Sequence, residues 1–129
     1  MSTLRVNTIQ GVGSGGFTGT VASEGGATTT SLGQGLAKTW SHCKEGVNTD
    51  GFNVSSVTDS STGSYIIFHN NDMANATYAV SGLKQTAGAG RDLGIDPSGF
   101  SASQYVIYSS TSSGVEDEDV YTSTHGDLA

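Results

Sequence analysis

Apolar residues in this chain alternate in short runs rather than recurring at helical spacing, and the runs become regular from about residue 36. In AKTWSHC, Ala37, Thr39, Ser41 and Cys43 fall on one side and Lys38, Trp40 and His42 on the other, the period-two signature of a strand. Trp40, the only tryptophan, is expected to anchor the core. GFNVSSVT predicts a second strand with Phe52 and Val54 on one face. SYIIFH is apolar on both faces, Tyr65 and Ile67 against Ile66 and Phe68, and is expected at the centre of a sheet. TYAVSGL, QYVIYSS and DVYTSTH predict three more strands, and QYVIYSS is again apolar on both faces. DSSTGS and NNDMANA punctuate them with residues that bond their own backbone or tolerate left-handed dihedrals. Lys84–Gln104 reads as a long, glycine-rich, irregular loop. Short strands at turn-punctuated spacing imply an all-β fold, an antiparallel β-sandwich.

Residues 1–35 have a different texture. Leu4, Val6 and Ile9 form one short strand-like stripe, followed by GVGSGGFTGT and a run of glycine and threonine. This predicts an extended N-terminal attachment arm and Gly/Thr-rich linker over 1–35, and a β-sandwich head domain over 36–129. Leu4, Val6 and Ile9 suit adding a strand to an exposed sheet edge of a partner. Residues 11–16 match the dinucleotide pattern G-x-G-x-x-G, but FTGTVASEGGATTT is a poor helix, and that fingerprint needs one.

Composition changes the picture in one respect. Glycine, serine and threonine make up about two-fifths of the chain, and the hydrophobic fraction without glycine is 34%, below the roughly 45–50% usual for globular domains, a figure that counts glycine. A core this thin is expected to be completed by other copies, and a homotrimer is the expected assembly. Twelve acidic residues against five basic give a net charge of −7, which argues against a nucleic-acid partner. No run approaches the ~20 apolar residues of a membrane span, so no membrane insertion is expected. MSTLRVNTIQ lacks the apolar stretch of a secretory signal, which predicts a protein made in a cytoplasm.

Little in the chain points to catalysis. Cys43 is alone and reads as a small buried hydrophobe; its neighbour His42 would point to the opposite face. His42, His69 and His125 have no metal-site spacing, and Glu116–Asp119 reads as a solvated acidic turn without the spacing of a calcium loop. Paired carboxylates can hydrolyse glycosides, but the chain lacks the length and coil repeat of a large hydrolytic β-helix. The expectation is no enzyme, no cofactor and no metal. Asn53-Val54-Ser55 and Asn75-Ala76-Thr77 match the glycosylation triplet but read as turn chemistry. The loop Lys84–Gln104 supplies the receptor-binding candidates Arg91, Asp92, Asp96 and Phe100, with Tyr105 just beyond it. Rings suit a sugar's C–H surface and charged groups its hydroxyls, and long loops are often functional.

Several of these segments together resemble the tail-fibre-like structural proteins of tailed bacteriophages, of the marine and cyanobacterial type. STLRVNTIQ resembles their opening. Ala37–Trp40 is similar to their A-K-A-W, Phe52–Tyr65 to F-N-V-S-S-[VI]-T-D-x-x-[TV]-G-x-Y, Met73–Val80 to M-x-[ND]-A-x-Y-A-V, and HGDLA to a terminal F-G-D-L-A. The chain departs from the pattern at Thr39 and at His42-Cys43. The resemblance implies a virion protein, a small tail fibre or tail tip that attaches to the host cell surface. The expected partners are other copies of itself, another phage tail or capsid protein through residues 1–10, and a host-surface glycan. The alternative keeps the particle but makes the protein a head fibre or capsid decoration protein; a stand-alone bacterial lectin is the third reading.

Overall fold

The computed structural model describes residues 20–22, 29–31, 35–85 and 92–129. Leu4, Val6 and Ile9, expected to form the attachment strand, and Arg91 lie outside the described residues. Chain contacts divide the protein into Met1–Leu36 and Ala37–Ala129. In the first unit β1 (Thr20–Ala22) pairs antiparallel with β2 (Thr29–Ser31), Val21 opposite Thr30. The sequence reads there only as a linker, yet valine and threonine are β-branched and favour a pleated backbone.

The second unit begins with β3 (Thr39–Lys44), which turns through Glu45 and Gly46 into β4 (Val47–Phe52). Both turn residues have positive φ, 47° and 81°, the backbone of a tight two-residue hairpin. Asn53 follows with φ 57°. It ends β4 and sends β5 (Val54–Ser61) into a different sheet. Thr62 and Gly63 reverse the chain into β6 (Ser64–His69). Gly63 has φ 70°, and a Cβ there would lie 2.5 Å from the Ser109 carbonyl oxygen, so only glycine fits. The remaining strands are β7 (Ala79–Gln85), β8 (Asp92–Ser101), β9 (Gln104–Thr111), β10 (Gly114–Val115) and β11 (Asp119–His125).

All pairings are antiparallel and make two larger sheets. The first runs β4-β3-β11-β7. In the second, β9 lies between β6 and β8, β5 flanks β6, and the short β10 extends the ladder along β9. β6 and β9 are therefore interior strands, as their two-sided apolar pattern predicts. The sheets share one core, a sandwich-like arrangement: Cys43 and Val120 from the first, Tyr65, Ile67, Tyr105 and Ile107 from the second. Tyr65 and Tyr105 are fully buried. At about 25 cal/mol per Å² each ring's burial is worth on the order of 4 kcal/mol before ordering entropy.

The inward face of β3 is the surprising one. Thr39, Ser41 and Cys43 point into the core, and Trp40 lies outside. Two tyrosines entering from the second sheet explain this. Their rings fill the space between the sheets, so the opposing strand must present small side chains. Their hydroxyls also need partners, and small hydroxyl residues supply both. Thr122 Oγ1 lies 2.6 Å from the Tyr105 hydroxyl and 2.7 Å from Ser41 Oγ.

Two further expectations change. GFNVSSVT is two strand segments, because the left-handed Asn53 separates exposed Phe52 from part-buried Val54. Within Lys84–Gln104, residues 92–101 are the strand β8, whose Leu93 and Phe100 pack against the core.

Candidate functional site: the outer face of the first sheet

Strand alternation and register together fix what the first sheet shows outward. Trp40 on β3 stands directly opposite Phe52 on β4 and Ser123 on β11. One step along, His42 stands opposite Asp50 and Tyr121, and Tyr121 opposite Leu83 on β7. Ser81 faces Ser123, and Gln85 faces Asp119. Directly opposed side chains lie within about 5 Å, so Phe52–Trp40 and Tyr121–Leu83 are two apolar pairs in adjacent rows of one face.

All four are exposed: Trp40 42%, Phe52 56%, Tyr121 40% and Leu83 78%. Scattered exposed apolar residues are ordinary, whereas a contiguous group marks a contact surface. Tyr121 is held in place. His42 stacks on Tyr121 with centroids 4.3 Å apart and planes 7° from parallel. The Tyr121 hydroxyl donates to Gln85 Oε1 at 2.8 Å. Ser81 and Ser123 share a hydroxyl bond of 2.9 Å. His42 Nε2 is 3.8 Å from Asp119 Oδ2, beyond hydrogen-bond reach.

A shallow groove of about 460 Å³ runs between these groups, lined by Ser81, Gly82, Leu83, Tyr121, Thr122 and Ser123. Gly82 is required by close approach: a Cβ would sit 2.7 Å from both Tyr121 O and Leu93 Cδ2. The surface thus offers flat ring and alkyl faces interleaved with hydroxyl, amide and carboxyl groups.

Sequence reasoning missed this face because it assigned Trp40 to the core. The alternation in AKTWSHC was legible, but which side faces inward was decided by tyrosines more than twenty residues away.

The receptor-binding candidates fare differently. Tyr105 has no exposed surface and cannot offer a ring to a ligand. Phe100 packs on Tyr78 at 5.1 Å and Tyr105 at 6.3 Å, as part of the core margin. Asp96 accepts bonds from Ser98 Oγ at 2.7 Å, Ser98 N–H at 2.9 Å and the Tyr108 hydroxyl at 3.2 Å. The Ser98 hydroxyl and N–H, aided by Tyr108, hold its carboxyl below the usual range. Asp92 is exposed at the start of β8. The cavity in this region is an apolar dent of about 150 Å³ lined by Ala76, Ile95, Pro97 and Phe100. The structure therefore does not bring Asp92, Asp96, Phe100 and Tyr105 together as a sugar-facing surface.

The acidic run has a structural task that its composition does not show. Asp117 Oδ1 accepts the Gly63 N–H at 2.7 Å and the Tyr65 hydroxyl at 3.2 Å, and the Glu118 N–H donates to that hydroxyl at 2.9 Å. It ties the β5–β6 turn to the entry of β11. Asn75 Oδ1 accepts the Thr77 N–H at 2.7 Å, the turn chemistry expected of that triplet. Among the described residues no group of three or more His, Cys, Asp or Glu could hold a metal. Cys43 is buried, and burial pushes its thiol up to about 11, away from nucleophilic use at neutral pH. Comparison of the chain with protein-family models, with curated proteins and with solved structures finds no match.

Proposed function

We propose that the protein is a structural component of a tailed-phage virion, a small homotrimeric tail fibre or tail tip that attaches to the host cell surface. Residues 1–10 serve as the arm that joins another tail or capsid protein, and the all-β unit is the head that meets the host. The role is binding and assembly, without catalysis.

The observation that supports this reading is how the phage-like segments meet in space. They lie far apart in sequence and bond to one another. Asn53 Nδ2, from the Phe52–Tyr65 motif, donates to the Lys38 carbonyl of the Ala37–Trp40 motif at 3.1 Å. Met73, which opens the Met73–Val80 motif, is buried and bridges to Leu128 of the terminal HGDLA. The Ala74 N–H donates to Asp127 O at 2.8 Å, and the Ala129 N–H to Asp72 O at 3.0 Å. The segments within Ala37–Ala129 that carry the resemblance thus help to build one fold.

Mass spectrometry of gradient-purified virions from a host carrying the gene tests the proposal. Stoichiometric recovery of this chain with the particle supports it. Recovery only from the soluble lysate, with virions free of the chain, overturns it.

A further inference from the structure

We infer that the outer face of the β4-β3-β11-β7 sheet is a carbohydrate-binding platform for a neutral, hydroxyl-rich glycan. Trp40, Phe52 and Tyr121 provide the stacking surfaces, and Ser81, Ser123 and Asp50 the hydrogen bonds. This deepens the attachment reading and rests on it, since it names the chemistry of the host surface that the head meets.

The chemistry of the face selects the ligand class. A pyranose ring presents C–H groups on its flat sides and hydroxyls around its edge. Its recognition needs aromatic planes with short polar groups at their margins. Here the two apolar pairs, Phe52–Trp40 and Tyr121–Leu83, alternate with the Asp50–His42 and Ser123–Ser81 pairs in adjacent rows. Tyr121 is pre-set by its stack on His42 and its bond to Gln85, so little ring motion has to be frozen on binding. The groove of about 460 Å³ beside it lies within the usual range for small-ligand sites.

Size and charge argue against the other occupants. Four strands about 4.8 Å apart and about six residues long present roughly 400 Å² of projected face. A standard protein interface covers ~800 Å² on each partner, so this face alone is small for a second copy. An anionic partner meets a chain of net charge −7, and Asp50 and Asp119 lie on this same face, with Lys44 at its end.

Trp40 is the only tryptophan in the chain, so its fluorescence reports on this face alone. The test titrates the full-length protein with cellohexaose, maltohexaose, mannohexaose and chitohexaose, and follows Trp40 emission. At least one sugar is expected to shift and saturate the emission with a dissociation constant of about 1 mM, a strength that many copies on a particle would amplify. Phe52→Ala and Tyr121→Ala are expected to weaken that sugar by about tenfold each. Phe52 is exposed, so the melting temperature of its variant should hold, and Val115→Ala, exposed on β10, should leave binding unchanged. No saturable shift with any of the four sugars overturns the inference. So does a shift that follows protein concentration instead of sugar, which would place the face between copies. A chain that binds sugar but is absent from virions defeats the phage proposal alone; a virion protein whose Trp40 ignores all four sugars defeats this one alone.

Discussion

Asn53 and Asn71 lock together at the crossover between the two sheets: Asn53 Oδ1 accepts the Asn71 backbone N–H at 2.7 Å and its side-chain amide at 3.1 Å, while Asn53 Nδ2 donates to Asn71 O at 3.0 Å. Asn53 also sits at φ 57°, a conformation that asparagine tolerates better than other non-glycine residues. One residue therefore sets both the backbone turn and the bonds that hold the neighbouring loop.

The two contributions separate by substitution. Asn53→Gly keeps the backbone and removes the bonds; Asn53→Ala removes both. Alanine is expected to be the more destabilising by about 1 kcal/mol, with both variants below wild type in chemical denaturation. Equal losses would mean that the left-handed backbone carries no cost here.

The hydroxyl group of Thr122 is the hub between Ser41 and Tyr105 in the core. Thr122→Val keeps the shape and leaves buried hydroxyls short of a partner. The expected loss is roughly 1–3 kcal/mol, read from the denaturation midpoint at unchanged slope. Tyr105→Phe removes one hydroxyl together with its need for a partner, and is expected to cost less than Thr122→Val. The reverse order would contradict the hub assignment.

Alkaline pH is expected to unfold the protein earlier than its surface charges alone would. Burial raises the Cys43 thiol from 9.0 to about 11 and also raises the hydroxyls of Tyr65, Tyr78 and Tyr105. These groups are neutral when protonated, and the fold holds their protons more tightly than the unfolded chain. Their contribution is complete below pH 9.0, declines as the unfolded chain ionises, and is lost as pH rises through the folded values. The melting temperature should fall between pH 9.0 and about 11, and Cys43→Ala should flatten the first part of that fall. A level profile through this window would show that the core groups do not titrate with unfolding.

Ile66 and Phe68 on β6 and Tyr108 on β9 lie on the outer side of the second sheet, away from the core. They account for the two-sided apolar pattern of these strands, and the proposed trimer is expected to make its contact there. Sedimentation at low micromolar concentration is expected to give three times 13.1 kDa, and Phe68→Ser to lower that mass. A monomeric wild-type protein contradicts the trimer.

Much of this fold is readable from alternation alone. SYIIFH and QYVIYSS are interior strands because both of their faces are apolar, and Cys43 and His42 diverge because neighbours on a strand must. What alternation cannot supply is the sign of a face. Trp40, the bulky residue, is expected inside, on the face opposite Thr39. The reverse holds because Tyr65 and Tyr105, contributed by the other sheet, take the volume and require hydroxyl partners. The strand β8 was also illegible, since Asp92–Ser101 carries two glycines and a proline and owes its order to Leu93, Phe100 and its pairing with β9. The candidate site followed the same rule: Trp40 was assigned to the core, and Phe100 and Tyr105, read as stacking faces for a ligand, are packed at the core.

The central claim is that this chain sits on a virion where the particle meets its host. Immunogold labelling of intact virions with antibodies raised against residues 36–129 tests it most directly. Gold confined to the tail tips is the predicted result. Uniform gold over the heads would move the protein to capsid decoration and contradict the tail assignment, and particles without gold would contradict the virion assignment altogether.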